Sequence, residues 1–186
     1  MRAYESAHGE LKEGETPAPS FIEGKLEEVE EGELLPDSLR DVISKTNVAG
    51  ETYQNIQLHN DGSLRLQKGK KQVSLPRTPE EFRTRIRLLG RMFELLRLKY
   101  LSGDRFKGYS EAIWERYTNW ILGDDVYGLS IKIPGSNISH SASWATLLDL
   151  DFQVRKDMAN RVNEGKTLTD APQRSYEQRK GLQSFF

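Results

Sequence analysis

Cysteine is absent from the 186 residues. That excludes disulfides, thiolate zinc sites and cysteine nucleophiles. Histidine is scarce: His8, His59 and His140 stand far apart, with none of the spacings a metal site uses. Long apolar runs are missing too. Nothing approaches the ~20 residues a membrane span needs, and the amino terminus, MRAYESAHGELKEGE, has no hydrophobic stretch of the kind a secretory signal carries. These absences predict a cofactor-free intracellular protein, cytoplasmic or nuclear, with no membrane contact. The apolar share, 36%, is low for a fully packed chain, so part of it is expected to stay outside the core.

Catalytic signatures are equally sparse. Gly103 to Gly108 is followed by Tyr109-Ser110 where a phosphate-binding loop needs Lys-Ser/Thr. No nucleophile elbow accompanies a Ser-His-Asp order. Asp124-Asp125 and Asp149/Asp151 are the one carboxylate set that could in principle gather around Mg²⁺. The first pair directly follows a helix stop, where turn residues belong anyway. The expectation is that the chain is not an enzyme.

What the chain has is charge, unevenly placed. Residues 1–35 hold ten acidic and three basic residues, a net −7, whereas residues 65–107 hold thirteen basic and four acidic, a net +9. Segregation on this scale points to an interaction tail or an anionic partner. Residues 1–35, rich in Glu, Gly and Pro, read as an acidic flexible arm, with Phe21-Ile22 and Leu34-Leu35 as possible docking anchors.

Residues 37–165 read as a mainly α, small helical domain of three to four helices with a β-hairpin and one short strand. Asp37 or Ser38 could open a short helix to Lys45, with Leu39, Val42 and Ile43 on one side. Ile56 and Leu58, then Asn60-Asp61-Gly62, then Leu64 and Leu66, carry the alternation and turn chemistry of a hairpin near 55–67. Thr78-Pro79-Glu80-Glu81 is a capping box with proline at the first helical position. It opens a helix from Pro79 to about Leu101, with Phe82, Ile86, Leu89, Phe93 and Leu96 on one side. A second helix runs from Glu111 to Leu122 behind Ser110, with Ile113, Tyr117, Trp120 and Ile121 inward. A third starts behind Ser141 or Ser143 and stops at Gly165, with Leu147, Val154, Met158 and Val162 inward. A strand is expected near 126–133. Residues 166–186 read as a C-terminal tail whose Phe185-Phe186 would dock on the body or on a neighbour. The three tryptophans are assigned to the core.

The stretch FRTRIRLLGR, residues 82–91, places Arg83, Arg87 and Arg91 at i, i+4, i+8, opposite the apolar side of the long helix. Like charges at that spacing repel by roughly 0.2–0.5 kcal/mol per pair, and Glu94 is the one nearby offset. The row therefore costs stability unless an anion meets it. One candidate anion is phosphate. Lys68, Lys70, Lys71 and Arg77 lie upstream, Arg105 and Lys107 downstream, and Tyr100, Phe106 and Tyr109 are interleaved for base stacking on single strands, RNA favoured. The other is an acidic protein surface: the chain's own arm, a neighbour's, or a partner's. A plain solvated face is the third reading. Arg85 differs, because it falls inside the apolar arc and a buried arginine needs a carboxylate. Asp151 and Arg155, i and i+4 on the last helix, also point to its apolar side, so Arg85, Asp151 and Arg155 are expected to form a structural ion network, with Asp149 as the other partner for Arg85; the alternative is that Arg85 snorkels along the rim.

Three segments, LPRTPEEFRTRIRLLG (75–90), WILGDDVYGL (120–129) and SWATLLDLDFQVRKDMANRVNEG (143–165), resemble in order and spacing a Gag-like helical region of retroelement-type polyproteins from protists. The resemblance implies coating of nucleic acid or self-assembly as a homo-oligomer, of capsid or nucleoprotein type. The alternative from the residues alone is a protein-interaction module or accessory subunit of a larger complex, docking through the acidic arm and the C-terminal tail.

Overall fold

A computed structural model describes residues 4–6, 9–48, 55–58, 64–67, 73–99, 110–132, 135, 137 and 139–166. Its helices are α1 (Pro19–Glu31), α2 (Lys45–Val48), α3 (Pro79–Lys99), α4 (Glu111–Ile121) and α5 (Trp144–Asn163), with a 3-10 turn at Glu13–Glu15. The architecture is mainly helical. No helix among the described residues is long and apolar enough to cross a membrane.

The long helix α3 is the spine. It buries nine positions, from Phe82 to Leu96, against seven on α5 and five on α4. Its start follows the capping chemistry: Thr78 Oγ1 accepts from the Glu81 amide at 3.2 Å, while the Glu81 carboxylate reaches back to the Arg77 amide at 2.8 Å. Helix α5 starts the same way, with Ser143 Oγ accepting from the Thr146 amide at 3.1 Å. Ser110 stands at the N-cap position of α4 but makes no side-chain cap bond. At Gly90, a Cβ would stand 3.0 Å from Trp114. Glycine there leaves room for the Trp114 side chain against α3, and Trp114 stacks on Phe93 with centroids 5.3 Å apart. Trp114 is buried; Trp120 and Trp144 are partly exposed, the latter edge-on to Phe82.

The described residues of the expected arm, 4–6 and 9–35, are not free. Phe21, Lys25 and Val29 line the buried side of α1, and Tyr4, Ala18 and Leu34 are buried as well. The composition of the segment hid this, because a few anchors at the right spacing are enough when each is buried completely. Pro19 starts α1, and Gly32, at φ 92°, ends it in the left-handed conformation. Leu34 is clipped to the end of α5: its amide donates to Asn163 Oδ1 at 2.8 Å, and its carbonyl accepts from Asn163 Nδ2 at 2.9 Å.

The short helix expected at 37–45 is displaced. Leu39, Val42 and Ile43 are buried as expected, but from turn and extended backbone, and helix begins only at Lys45. Ala18 donates to the Ile43 carbonyl and Lys45 to the Thr16 carbonyl, both at 2.9 Å, which holds this segment extended. The backbone of β1 (Asn55–Leu58) runs antiparallel to β2 (Leu64–Gln67), with Leu58 opposite Leu64. Farther on, β3 (Ser130–Lys132) pairs with β4 (Ser139–Ser141). The stretch expected to begin a strand at 126 is instead a turn, in which the Val126 and Gly128 amides both donate to the Gly123 carbonyl. Phe185-Phe186 and the rest of 167–186 lie outside the described residues.

Candidate anion cleft and the buried ion chain

Packing of α4 against α3 changes the setting of the arginine row. Arg83, Arg87 and Arg91 do follow one another up α3, but α4 rises beside them. Together with Gly90, Glu111, Trp114, Glu115 and Thr118 they line a cleft of about 150 Å³. The row is thus one wall of a groove, not an open ridge.

The three guanidiniums are in different states. Arg83 is exposed and donates to Asn119 Oδ1 at 2.8 Å. Arg87 is exposed and has neither hydrogen bond nor ion pair among the described residues. Arg91 is mostly covered, with 12% of its side chain exposed; its Nε meets Glu111 Oε1 at 3.0 Å and its Nη1 donates to the Glu15 carbonyl at 2.8 Å. Arg91 is therefore already matched within the molecule, contrary to its expected place on an outward face. Glu94 does not offset it. That carboxylate is buried and pairs with Arg97, which holds the Arg97 guanidinium above its ordinary value. The offset comes from Glu111 on the facing helix.

A second polar cluster lies behind the cleft. Arg155 meets both oxygens of Asp151, Nε at 3.1 and 3.0 Å and Nη2 at 2.7 Å, and Tyr117 donates its hydroxyl to Asp151 Oδ1 at 2.6 Å. Arg155 also donates to the Asp37 carbonyl. The Asp37 carboxylate takes Lys25 Nζ at 2.9 Å, and Lys25 further contacts Glu28 at 2.5 Å and the Leu35 carbonyl at 2.8 Å. Lys25, Asp151 and Arg155 are all buried. The chain ties α1, the 34–37 segment, α4 and α5 together.

Burial acts on Arg155, Tyr117 and Asp37. It pulls the Arg155 guanidinium down, yet Asp151, Tyr117 and Asp37 outweigh it and leave the group above its ordinary value. Burial, then Asp151, raises the Tyr117 phenol well above its usual range. Burial also raises the Asp37 carboxyl, against the opposing pull of Lys25 and Arg155.

Arg85 is not part of this network. With both Asp151 oxygens taken by Arg155 and Tyr117, no acceptor is left for it there, and Asp149 is exposed. Arg85 instead donates to the Val42 carbonyl at 2.7 Å, satisfying one of the acceptors of the extended 39–44 segment. Burial lowers its guanidinium, and Glu81 counters that.

Of the other basic residues in the expected phosphate-binding set, Arg77 is exposed just ahead of α3. Lys68, Lys70, Lys71, Arg105 and Lys107 lie outside the described residues, as do Tyr100, Phe106 and Tyr109. Asp124 and Asp125 are exposed in the turn after α4. Among the described residues no group of three or more His, Asp or Glu side chains could hold a metal ion. Sequence reasoning missed Lys25, Asp37, Tyr4 and Glu111. Lys25 carried a usable signal, standing between Phe21 and Val29 at four-residue spacing; Glu111 and Tyr4 carried none, because their partners are distant in the chain. Comparison with protein-family models, with curated proteins and with solved structures finds no match to this chain.

Proposed function

We propose that the chain is a non-enzymatic nucleic-acid-binding protein that assembles with copies of itself, of capsid or nucleoprotein type, and that the α3–α4 cleft receives phosphate. The observation that carries this reading is Arg87. It stands exposed between two other guanidiniums with no counter-charge bound to it among the described residues. A phosphate there would remove the like-charge repulsion of the row, and Arg83 could turn from a neutral amide to a charged oxygen. A hairpin over residues 55–67, if formed, would carry the Lys68–Lys71 run as a second arm for the same nucleic-acid strand. The Gag-like resemblance of residues 75–165 agrees with this function.

Assembly has its own support. Glu23, Glu27, Glu30 and Glu31 of α1 are exposed, so each copy offers an acidic helix face and a basic cleft. The alternative, a protein-interaction module or accessory subunit docking through the acidic arm and the C-terminal tail, would use the same exposed glutamates of α1.

Titration of labelled single-stranded RNA at about 50 and 200 mM salt tests the reading. Binding is expected to weaken steeply with salt. Arg83→Gln with Arg87→Gln should flatten the log–log slope by about 1.4, at ~0.7 per phosphate contact on single strands. Salt-independent binding, or a double variant identical to wild type, contradicts it.

A further inference from the structure

Helix α1 carries a charged row of its own. Phe21, Lys25 and Val29 are buried at four-residue spacing, and Glu23, Glu27 and Glu31, two residues on from each, are exposed. Two residues turn a helix by about 200°, so the glutamates crown the side directed away from the body. Their carboxylates make neither hydrogen bond nor ion pair among the described residues, whereas Glu28 and Glu30 of the same helix are engaged by Lys25 and Lys99. Like charges at i, i+4 and i+8 repel one another, and nothing described in the molecule relieves these three. The row has the spacing of Arg83, Arg87 and Arg91 on α3, with about 6 Å from each residue to the next. Of those arginines, Arg83 holds only a neutral amide and Arg87 holds no partner among the described residues.

From this match, and on the reading of the cleft as an anion receptor, we infer that the α3–α4 cleft of one molecule receives the glutamate row of α1 from a second copy of the chain. Glu23 and Glu27 stand one helical turn apart, as do Arg83 and Arg87. A helix laid along the mouth of the cleft therefore meets both cations in register, and each pairing is a charge-assisted hydrogen bond. Glu115 on the α4 wall opposes the incoming helix but is outnumbered by the two guanidiniums. Arg91 and Glu111 stay paired to each other throughout. Within one molecule the contact cannot form, because the row points away from the body that holds the cleft. The contact is thus head to tail, with different surfaces on the two copies, and such contacts extend into rings or chains. RNA phosphates and α1 glutamates seek the same two guanidiniums, so nucleic acid displaces the neighbouring copy.

Complementation between two variants tests this. Sedimentation velocity at about 50 mM salt, where surface charges are weakly screened, compares wild type, Glu23→Gln with Glu27→Gln, Arg83→Gln with Arg87→Gln, and an equimolar mixture of the two double variants. All four positions are exposed, so the substitutions leave the core intact. Wild type should form species larger than two copies, and each variant alone should stay a single copy. The mixture should form two-copy species and nothing larger, because one intact cleft meets one intact row. Single-stranded oligouridine added to wild type should return it to single copies. A mixture that stays at single copies, a variant that assembles like wild type, or a wild type that never associates overturns the inference. Labelled oligouridine titrated against the Glu23→Gln, Glu27→Gln protein, whose cleft is intact, reads phosphate binding separately. Binding there without a restored two-copy species overturns the α1 contact and leaves the phosphate reading standing. A restored two-copy species without RNA binding supports the α1 contact and removes the phosphate reading.

Discussion

Arg155 and Asp151 form the buried pair on which α5 is oriented, and removing one partner is not like removing both. Arg155→Met should cost about 3–5 kcal/mol, because a buried carboxylate is left without its cation. Tyr117→Phe should cost only about 1 kcal/mol, since Asp151 keeps Arg155. Urea unfolding of the two variants checks the ranking. Asp37 sets a pH dependence. Burial raises its folded-state pKa above 3.8, so the fold favours the protonated carboxyl. Its contribution is present below that pH and is lost as pH rises through the raised value. Asp37→Asn should therefore gain on wild type in urea midpoint as pH rises from about 4 toward neutrality; a constant gap would contradict the assignment. The Asp151–Arg155 contact was legible in the sequence, since both stand on an apolar stripe one turn apart. Arg85 was misread because a helical wheel gives direction and not the identity of what waits there. The Arg91–Glu111 pair was not legible at all: nothing local marks two residues on different helices as partners.

At the scale of elements, α3 and α4 depend on a close approach. Gly90→Ala should gain up to about 1 kcal/mol in helix propensity and lose about 1–3 kcal/mol by overpacking against Trp114. Trp114 cannot yield cheaply, because it is held against Phe93 and, edge-on, against Tyr117. The net effect expected in thermal unfolding is destabilisation. An unchanged or raised midpoint would mean that the helices can separate freely. Thr78→Ala should cost about 1 kcal/mol through the lost cap on α3. Helices α3, α4 and α5 were readable from apolar periodicity and, for α3, from its capping box. Helix α1 was not, because its buried side includes a lysine and its outer side is crowded with glutamates. Only the spacing from Pro19 to Gly32 announced a start and a stop. The strand expected near 126–133 is confined to Ser130–Lys132, because Gly123-Asp124-Asp125 supply turn chemistry directly after α4.

For the whole molecule, segregated charge was the clearest message of the sequence, and its spatial meaning was the least legible. The described part of the acidic segment, residues 4–6 and 9–35, is not a loose tail but a folded layer that buries Lys25 and reaches across to Arg91. The basic row is the wall of a cleft, and the same layer contacts its Arg91 and Glu111. An overall charge near zero conceals two opposed faces, which favours association at low salt. Sedimentation at about 50 and 300 mM salt should show larger assemblies at the lower value, within a few Debye lengths of contact, and Glu23→Gln with Glu27→Gln should reduce them.

The most direct measurement follows the arginine side-chain Nε–Hε resonances by NMR during titration with single-stranded RNA. The Arg87 signal should shift first and saturate, Arg83 should follow, and buried Arg155 should stay in place. Shifts confined to other arginines, with Arg87 unmoved at saturating RNA, would contradict a phosphate-binding cleft between α3 and α4.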